Sequence, residues 1–323
     1  MKSTVRISLV IVGLVLIFSF VALSGLSAVG EKLKIAFVPG QTTEPFYISA
    51  HIGAKQAAEE YGVELIWEGS SEWDFMKQTQ IMEGLLIGGV DALIIVPTDA
   101  NAIIHPVKKF FEKGIPVIAM DTTLNDLSLL KCEVTSDNKL GGYEAGILLA
   151  KAIGEEGKVV IANTEMGASA TDLRQQGFEE VIASEYPKIE IVNTYFCKED
   201  RNLAASQIQN ALLANPDIKG VFATCTNPTV GAAKGLSLAN ASNVILVGYD
   251  ADPSEVKALE NNEIDFLVVQ KPLAMGYLAV EYAYKILIGE GEYIPSKALF
   301  ATVTATPENM DDENINKYFY PIK

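Results

Sequence analysis

Short apolar runs, each closed by a polar or charged residue, recur along this chain between stretches of helical spacing. Lys34-Ile-Ala-Phe-Val38 is echoed by Lys158-Val-Val-Ile-Ala162, and Gly62-Val-Glu-Leu-Ile-Trp67 by Lys188-Ile-Glu-Ile-Val-Asn193. Asp91-Ala-Leu-Ile-Ile-Val-Pro-Thr98 matches Lys219-Gly-Val-Phe-Ala-Thr-Cys-Thr226, and Pro116-Val-Ile-Ala-Met-Asp121 matches Ile245-Leu-Val-Gly-Tyr-Asp250, all at offsets of 124 to 129 residues. Leu93-Ile-Ile-Val96 and Val244-Ile-Leu-Val247 are uninterrupted apolar runs, as expected of strands covered by helices on both faces. Between strands, Ala50, Ala54, Ala57, Ala58 and Tyr61 fall on one helical face, and Gly62 stands where a left-handed C-terminal cap is wanted. The same punctuation returns at Gly88-Gly89, at Gly114, and at Gly154 with Gly157.

Alternating strands and helices specify parallel, doubly wound sheets. The duplication then predicts an α/β chain of two similar doubly wound parallel-sheet domains. No Pro/Gly/Ser-rich linker separates the halves, which favours a compact hinge crossed more than once. In such sheets ligands bind outside the carboxyl ends of the strands. Two facing sheets therefore predict one cleft lined by two sets of strand ends.

The first residues change the picture of where the chain works. Met1 to Arg6 is basic, Ile7 to Leu23 is an almost uncharged apolar run, and small residues follow from Ser24 to Gly30. This is the form of a secretory signal peptide over residues 1–30, with an uncleaved transmembrane anchor as the alternative. Removing it leaves roughly 290 residues, enough for two domains. The formal net charge of −16 repels phosphate backbones and anionic lipids, so no nucleic-acid partner is expected. Cys132, Cys197 and Cys225 are too few and too far apart for a disulfide scaffold or zinc ribbon, and read as small thiols at strand ends.

Catalytic signals are sparse. With only His51 and His105, His-rich metal sites and most His-based triads lack their residues. There is no Gly-x-Ser-x-Gly elbow, no Gly-x-x-x-x-Gly-Lys-Ser/Thr loop, and one glycine in Val38-Pro-Gly-Gln-Thr-Thr-Glu-Pro45 where a dinucleotide fold needs three. The chain reads as a non-enzyme requiring neither cofactor nor metal. Only a carboxylate-based hydrolase is left open by this search.

Pro45-Phe46-Tyr47, Asp121, Ser136-Asp137-Asn138 with Gly141-Gly142, Gly248-Tyr249-Asp250, Gln270-Lys-Pro272 and Thr306-Pro-Glu-Asn309 occur in order over the whole mature chain. In these the chain resembles the periplasmic sugar-binding proteins of the ribose-binding type, nearer their hexose- and xylose-binding branches. The resemblance implies a periplasmic binding protein type I fold, with lobes at 31–136 plus 271–301 and at 137–270 plus 302–323. It implies an extracytoplasmic, monomeric receptor that carries a monosaccharide or polyol to the membrane permease of an ATP-binding-cassette importer. A sensory module of the same fold, serving a chemoreceptor or kinase, is the nearest alternative, and an extracellular glycosidase a more distant one. Regulators of the lactose-repressor type share the fold but begin with a basic helix-turn-helix, whereas this chain begins with an export signal.

By position, the resemblance carries ligand contact to Phe46, Tyr47, Asp121, Arg174, Asp250 and Gln270. Glu44 replaces the pattern's Asn before the proline, Thr122 its Arg, and Glu199 an aromatic, while Cys225 stands at another polar contact. Together these departures point away from ribose, towards a hexose, an inositol-like polyol or an amino sugar. The residue chemistry agrees with a sugar site. Carboxylate, guanidinium and amide groups each bind adjacent hydroxyls, and aromatics cover the C–H face of the ring. Asp121 and Asp250 could alternatively be helix caps. Arg174, read as lying in the first turn of a helix capped by Thr171, could pair with Asp172 or Glu165. Of Phe46 and Tyr47, one is expected to stack on the ligand and one to pack inward. Trp73 is a candidate for the cleft wall. Thr226 and Asn227 offer small polar contacts, Asn227 being equally readable as a cap before Pro228.

Overall fold

In the computed structural model the described residues run from 32 to 321. The expected signal segment lies outside them. Among the described residues no helix is long and apolar enough to cross a membrane.

The repeated apolar runs become the matched strands of two six-stranded sheets. The first sheet holds β1 (Lys34–Val38), β2 (Glu64–Trp67), β3 (Ala92–Ile95), β4 (Val117–Met120), β5 (Cys132–Ser136) and β11 (Lys297–Phe300), in the order β11-β5-β4-β3-β1-β2. The second holds β6 (Gly157–Asn163), β7 (Ile189–Phe196), β8 (Ile218–Ala223), β9 (Ile245–Tyr249), β10 (Phe266–Val269) and β12 (Val303–Ala305), in the order β12-β10-β9-β8-β6-β7. All pairs are parallel except β10 with β12. Every residue of β3 and β4 is buried, as their unbroken apolar character requires of central strands.

The helices follow the strands: α1 (Pro45–Tyr61), α2 (Phe75–Gly88), α3 (Ile104–Glu112), α4 (Asn138–Ala152), α5 (Ser169–Glu185), α6 (Arg201–Ala214), α7 (Thr226–Leu238), α8 (Pro253–Glu260), α9 (Pro272–Leu287) and the short α10 (Glu313–Asn316). Gly62 closes α1 at φ 69°, with its N–H bonded to the Ala58 carbonyl, so the expected left-handed cap is where the spacing put it. The chain leaves the first sheet after β5 to enter α4, returns after β10 through α9, and passes again from β11 to β12. Each sheet with its helices is one lobe.

The two crossover helices, α4 and α9, dock in the same way. A Cβ on Gly142 of α4 would stand 1.9 Å from the Arg174 carbonyl of α5, and one on Gly177 of α5 would stand 1.9 Å from the Lys139 carbonyl of α4. In the other lobe, a Cβ on Gly53 of α1 would meet the Leu273 carbonyl of α9 at 1.9 Å, and one on Gly276 the Ala50 carbonyl at 2.0 Å. Backbone thus lies directly on backbone in both pairs, and no methyl group fits between. The consequence for the site is that the α4–α5 contact sets the position of Arg174.

Gly142→Ala must push α5 away from α4, and overpacking of this kind costs roughly 1–3 kcal/mol. Urea denaturation is expected to show that loss of stability. An unchanged midpoint would overturn the close-contact reading.

Candidate functional site

The carboxyl ends of β4 and β9 carry Asp121 and Asp250 at φ 64° and 94°, left-handed values that side chains other than glycine rarely adopt. Each is held by the same device. The Asp121 N–H donates to the Val134 carbonyl on β5, and the Asp250 N–H to the Val268 carbonyl on β10. Strain of order 1–3 kcal/mol survives only where the surroundings over-determine it. Neither aspartate caps a helix; the cap of α8 is Asp252, in a capping box with Glu255.

Around these two residues the lobes enclose one pocket, an envelope of about 620 Å³ including open space. From the first lobe it is lined by Gln41 and Glu44 before α1, Phe46 and Tyr47 in the first turn of α1, and Trp73, Asp121 and Thr122 after their strands. The second lobe contributes Thr164, Ala168, Ala170, Thr171, Arg174, Glu199, Cys225, Thr226, Asn227 and Asp250, with Gln270 between lobes. All eleven residues singled out from sequence, namely Glu44, Phe46, Tyr47, Trp73, Asp121, Thr122, Arg174, Glu199, Thr226, Asp250 and Gln270, meet there.

Asp250 is the most heavily bonded. Its Oδ1 accepts from Gln270 Nε2 at 2.6 Å and from the Tyr320 hydroxyl at 2.8 Å, and its Oδ2 from the Thr226 N–H at 3.3 Å. Gln270 Oε1 in turn accepts from Ser136 Oγ at 2.7 Å, so the two crossover points are joined to the carboxylate through one amide. Arg174 is 2% exposed and lies over the Tyr249 ring at 3.9 Å. Its Nε donates to Asn138 Oδ1 and its Nη1 to the Thr224 carbonyl, both at 2.9 Å, with Asp250 Oδ2 3.9 Å away. Burial opposes its charge, but Tyr249, Asp250 and Asp121 more than offset this, and the guanidinium stays protonated.

On the first lobe, the Tyr47 hydroxyl donates to Asp121 Oδ2 at 2.9 Å. Burial pushes the Asp121 carboxyl up to about 6, against the opposing pull of Arg174 and Tyr47. Glu44 goes up to about 7, through burial and then the charges of Asp250, Glu199 and Asp252. Burial also raises Glu199, whose Oε2 accepts from Asn227 Nδ2 at 2.5 Å. Thr122 is buried and spends its hydroxyl on the Pro97 carbonyl at 2.7 Å. Among the described residues no group of His, Cys, Asp and Glu is placed to hold a metal.

Several local expectations are corrected. Helix α5 begins at Ser169 with Ala168 as its cap, so Thr171 is inside the helix and Arg174 lies in the second turn, away from the helix end. Asn227 does not cap α7; Cys225 occupies the cap, and Asn227 bridges Glu199 to Arg201, whose Nε donates to it at 2.6 Å. Phe46 and Tyr47 both line the pocket, edge to face at 5.1 Å, and Trp73 lies nearly parallel to Tyr47 at 6.4 Å. The three cysteines are unpaired, two buried and Cys225 half-buried.

Tyr320 escaped the sequence reading. It contacts Phe46 edge to face at 5.8 Å as well as bonding Asp250, yet a lone tyrosine in a tail carries no periodic signal. Gln41, Thr164, Ala168 and Ala170 were missed because small loop residues announce themselves only by position.

Comparison with known proteins accords with this geometry. The model of the periplasmic binding protein domain matches residues 35–291. The ribose import binding protein of Escherichia coli (strain K12) is 32% identical over 274 residues, covering 84% of this chain and 91% of that protein. An ATP-binding-cassette transporter solute-binding protein from Agrobacterium vitis, solved with α-D-tagatopyranose, superposes with a TM-score of 0.87 at 35% identity, covering 90% of this chain and all of the other. A carbohydrate transporter solute-binding protein from Agrobacterium radiobacter, solved with D-arabinose, gives 0.84 at 28% identity, covering 91% of this chain and all of the other. With two duplicated lobes, a pocket between them and matches spanning most of its length, this chain belongs to the periplasmic binding protein family.

Proposed function

We propose that this chain is the extracytoplasmic solute-binding component of an ATP-binding-cassette sugar importer. It takes a monosaccharide or polyol between lobes 31–136 plus 271–301 and 137–270 plus 302–323, and delivers it as a monomer to the membrane permease. The observation that carries the reading is the pairing of Asp121 and Asp250, one strained strand-end carboxylate from each lobe, in a single pocket walled by Phe46, Tyr47 and Trp73. Carboxylates accept from adjacent hydroxyls while the aromatic faces cover ring C–H groups. Ligand contacting both lobes at once stabilises the closed arrangement, and the hinge is the set of three crossings. Relatives named for sugars support the ligand class.

Asp121→Asn and Asp250→Asn keep side-chain shape and remove a charged acceptor, which is worth roughly 1.5–3 kcal/mol per hydrogen bond. Calorimetry with the tightest-binding sugar of a screened panel should show affinity falling about 10- to 150-fold in each folded variant. Wild-type affinity in either one would remove that residue from the site.

Closure is expected to shrink the molecule. Small-angle scattering should give a smaller radius of gyration with saturating sugar than without, as contacts such as Thr123 N–H to Ser169 Oγ, 3.0 Å across the cleft, re-form. Superimposable profiles would sink the hinge mechanism.

Glu44 makes stability depend on pH. Its folded value of about 7 lies above the ordinary 4.5, so the folded state binds the proton more tightly. No penalty exists below the unfolded value; it develops as pH rises between the two values and is complete above the folded one. Glu44→Gln is therefore expected to melt close to wild type at pH 4.5 and above it at pH 8 in ligand-free protein. A gap that does not grow with pH would refute the burial assigned to this carboxylate.

A further inference from the structure

The pocket is acidic beyond the needs of a neutral ligand. Four carboxylates line it, Glu44 and Asp121 from one lobe and Glu199 and Asp250 from the other, against the single guanidinium of Arg174 and no lysine. That guanidinium is already committed at Nε and Nη1 to Asn138 and the Thr224 carbonyl. Three of the carboxylates have internal donors: Asp121 has Tyr47, Glu199 has Asn227, and Asp250 has Gln270, Tyr320 and Thr226. Glu44 differs. It occupies the N-cap position of α1, but its side chain makes no capping hydrogen bond and no other hydrogen bond or ion pair among the described residues. It is half-buried and faces the negative charges of Asp250, Glu199 and Asp252 across the cleft, offset only in part by the positive charge of Arg201.

Closing over a neutral sugar would strip water from these carboxylates and leave the excess negative charge in place. Hydroxyls return one donor each and no charge, whereas an ammonium brings three donors and a positive charge. Phe46, Tyr47 and Trp73 line the same pocket, and aromatic rings attract cations.

We propose that the cleft is built for a monosaccharide or polyol that carries a protonated amine, with Glu44 as the partner of the ammonium group. This rests on the sugar-binding reading above and narrows it. Asp121, Asp250 and Arg174 hold the ring hydroxyls, and the amine occupies the Glu44 side of the pocket between the lobes. The upward shift of the Glu44 carboxyl in the ligand-free pocket is the complement of this role, since a cation beside it restores the ionised form.

The test is calorimetry at pH 7 with matched sets: D-glucose, D-galactose, D-mannose and D-glucitol; their 2-amino, 6-amino and 1-amino derivatives; and the N-acetylated forms of those amines. At least one amine is expected to bind ten-fold or more tightly than its hydroxyl parent, and acetylation should abolish the gain. In Glu44→Gln the ratio of amine to parent affinity should fall about ten-fold, a readout that a general loss of binding does not mimic. If the hydroxyl parent binds as tightly as the amine or more tightly in every set, including binding accompanied by proton uptake, the amine proposal is overturned while the sugar reading stands. If no member binds, amine or neutral, both readings fall.

Discussion

A carboxylate removed from water has to recover its lost hydration from protein donors, and the way Asp250 does so organises this molecule. Its partners come from four separate stretches of chain: the donors Gln270 at the return crossing, Tyr320 in the C-terminal tail and Thr226 at the start of α7, and the charge of Arg174 at ion-pair distance on α5. Ser136, where the chain first leaves the first sheet, reaches the same carboxylate through the Gln270 amide. The crossings and the cleft are therefore coupled through one buried group. A change in what Asp250 accepts is therefore felt at the segments that join the lobes.

Packing supplies the complementary rigidity. Interiors are dense enough that a single methyl is resolved, and the paired glycines of α4 with α5 and of α1 with α9 put backbone against backbone in both lobes. One of those contacts falls on the carbonyl of Arg174 itself. The guanidinium is then fixed by Asn138, by the Thr224 carbonyl and by the Tyr249 ring beneath it. A side chain with so many rotatable bonds is thus presented in one orientation at the pocket wall. The strained backbone at Asp121 and Asp250 belongs to the same design, held by a ladder bond to the neighbouring strand in each lobe.

Electrostatics distinguish the two walls. The second lobe supplies donors to its pocket carboxylates Glu199 and Asp250, while the first presents Glu44 with no hydrogen-bond partner among the described residues. The acidity of the whole chain, −16 in formal charge, does not by itself say this. Most of that charge lies on solvated surface, where it favours solubility and is screened.

Much of the fold was legible because it rests on local, periodic rules. Apolar runs covered on both faces, glycine caps such as Gly62, and an offset repeat of strand ends determined two parallel sheets and the placing of Asp121 and Asp250 at matched ends. Thr171 and Asn227 were misread in detail because helix starts depend on neighbours distant in sequence. Tyr320 was invisible for the same reason, 70 residues from the carboxylate it completes. Residue type and order settle which groups stand at strand ends. Which of those groups is desolvated, which finds a donor and which is left facing like charge is decided only when two lobes close over them, because burial and Coulomb energy depend on distances that the sequence does not contain.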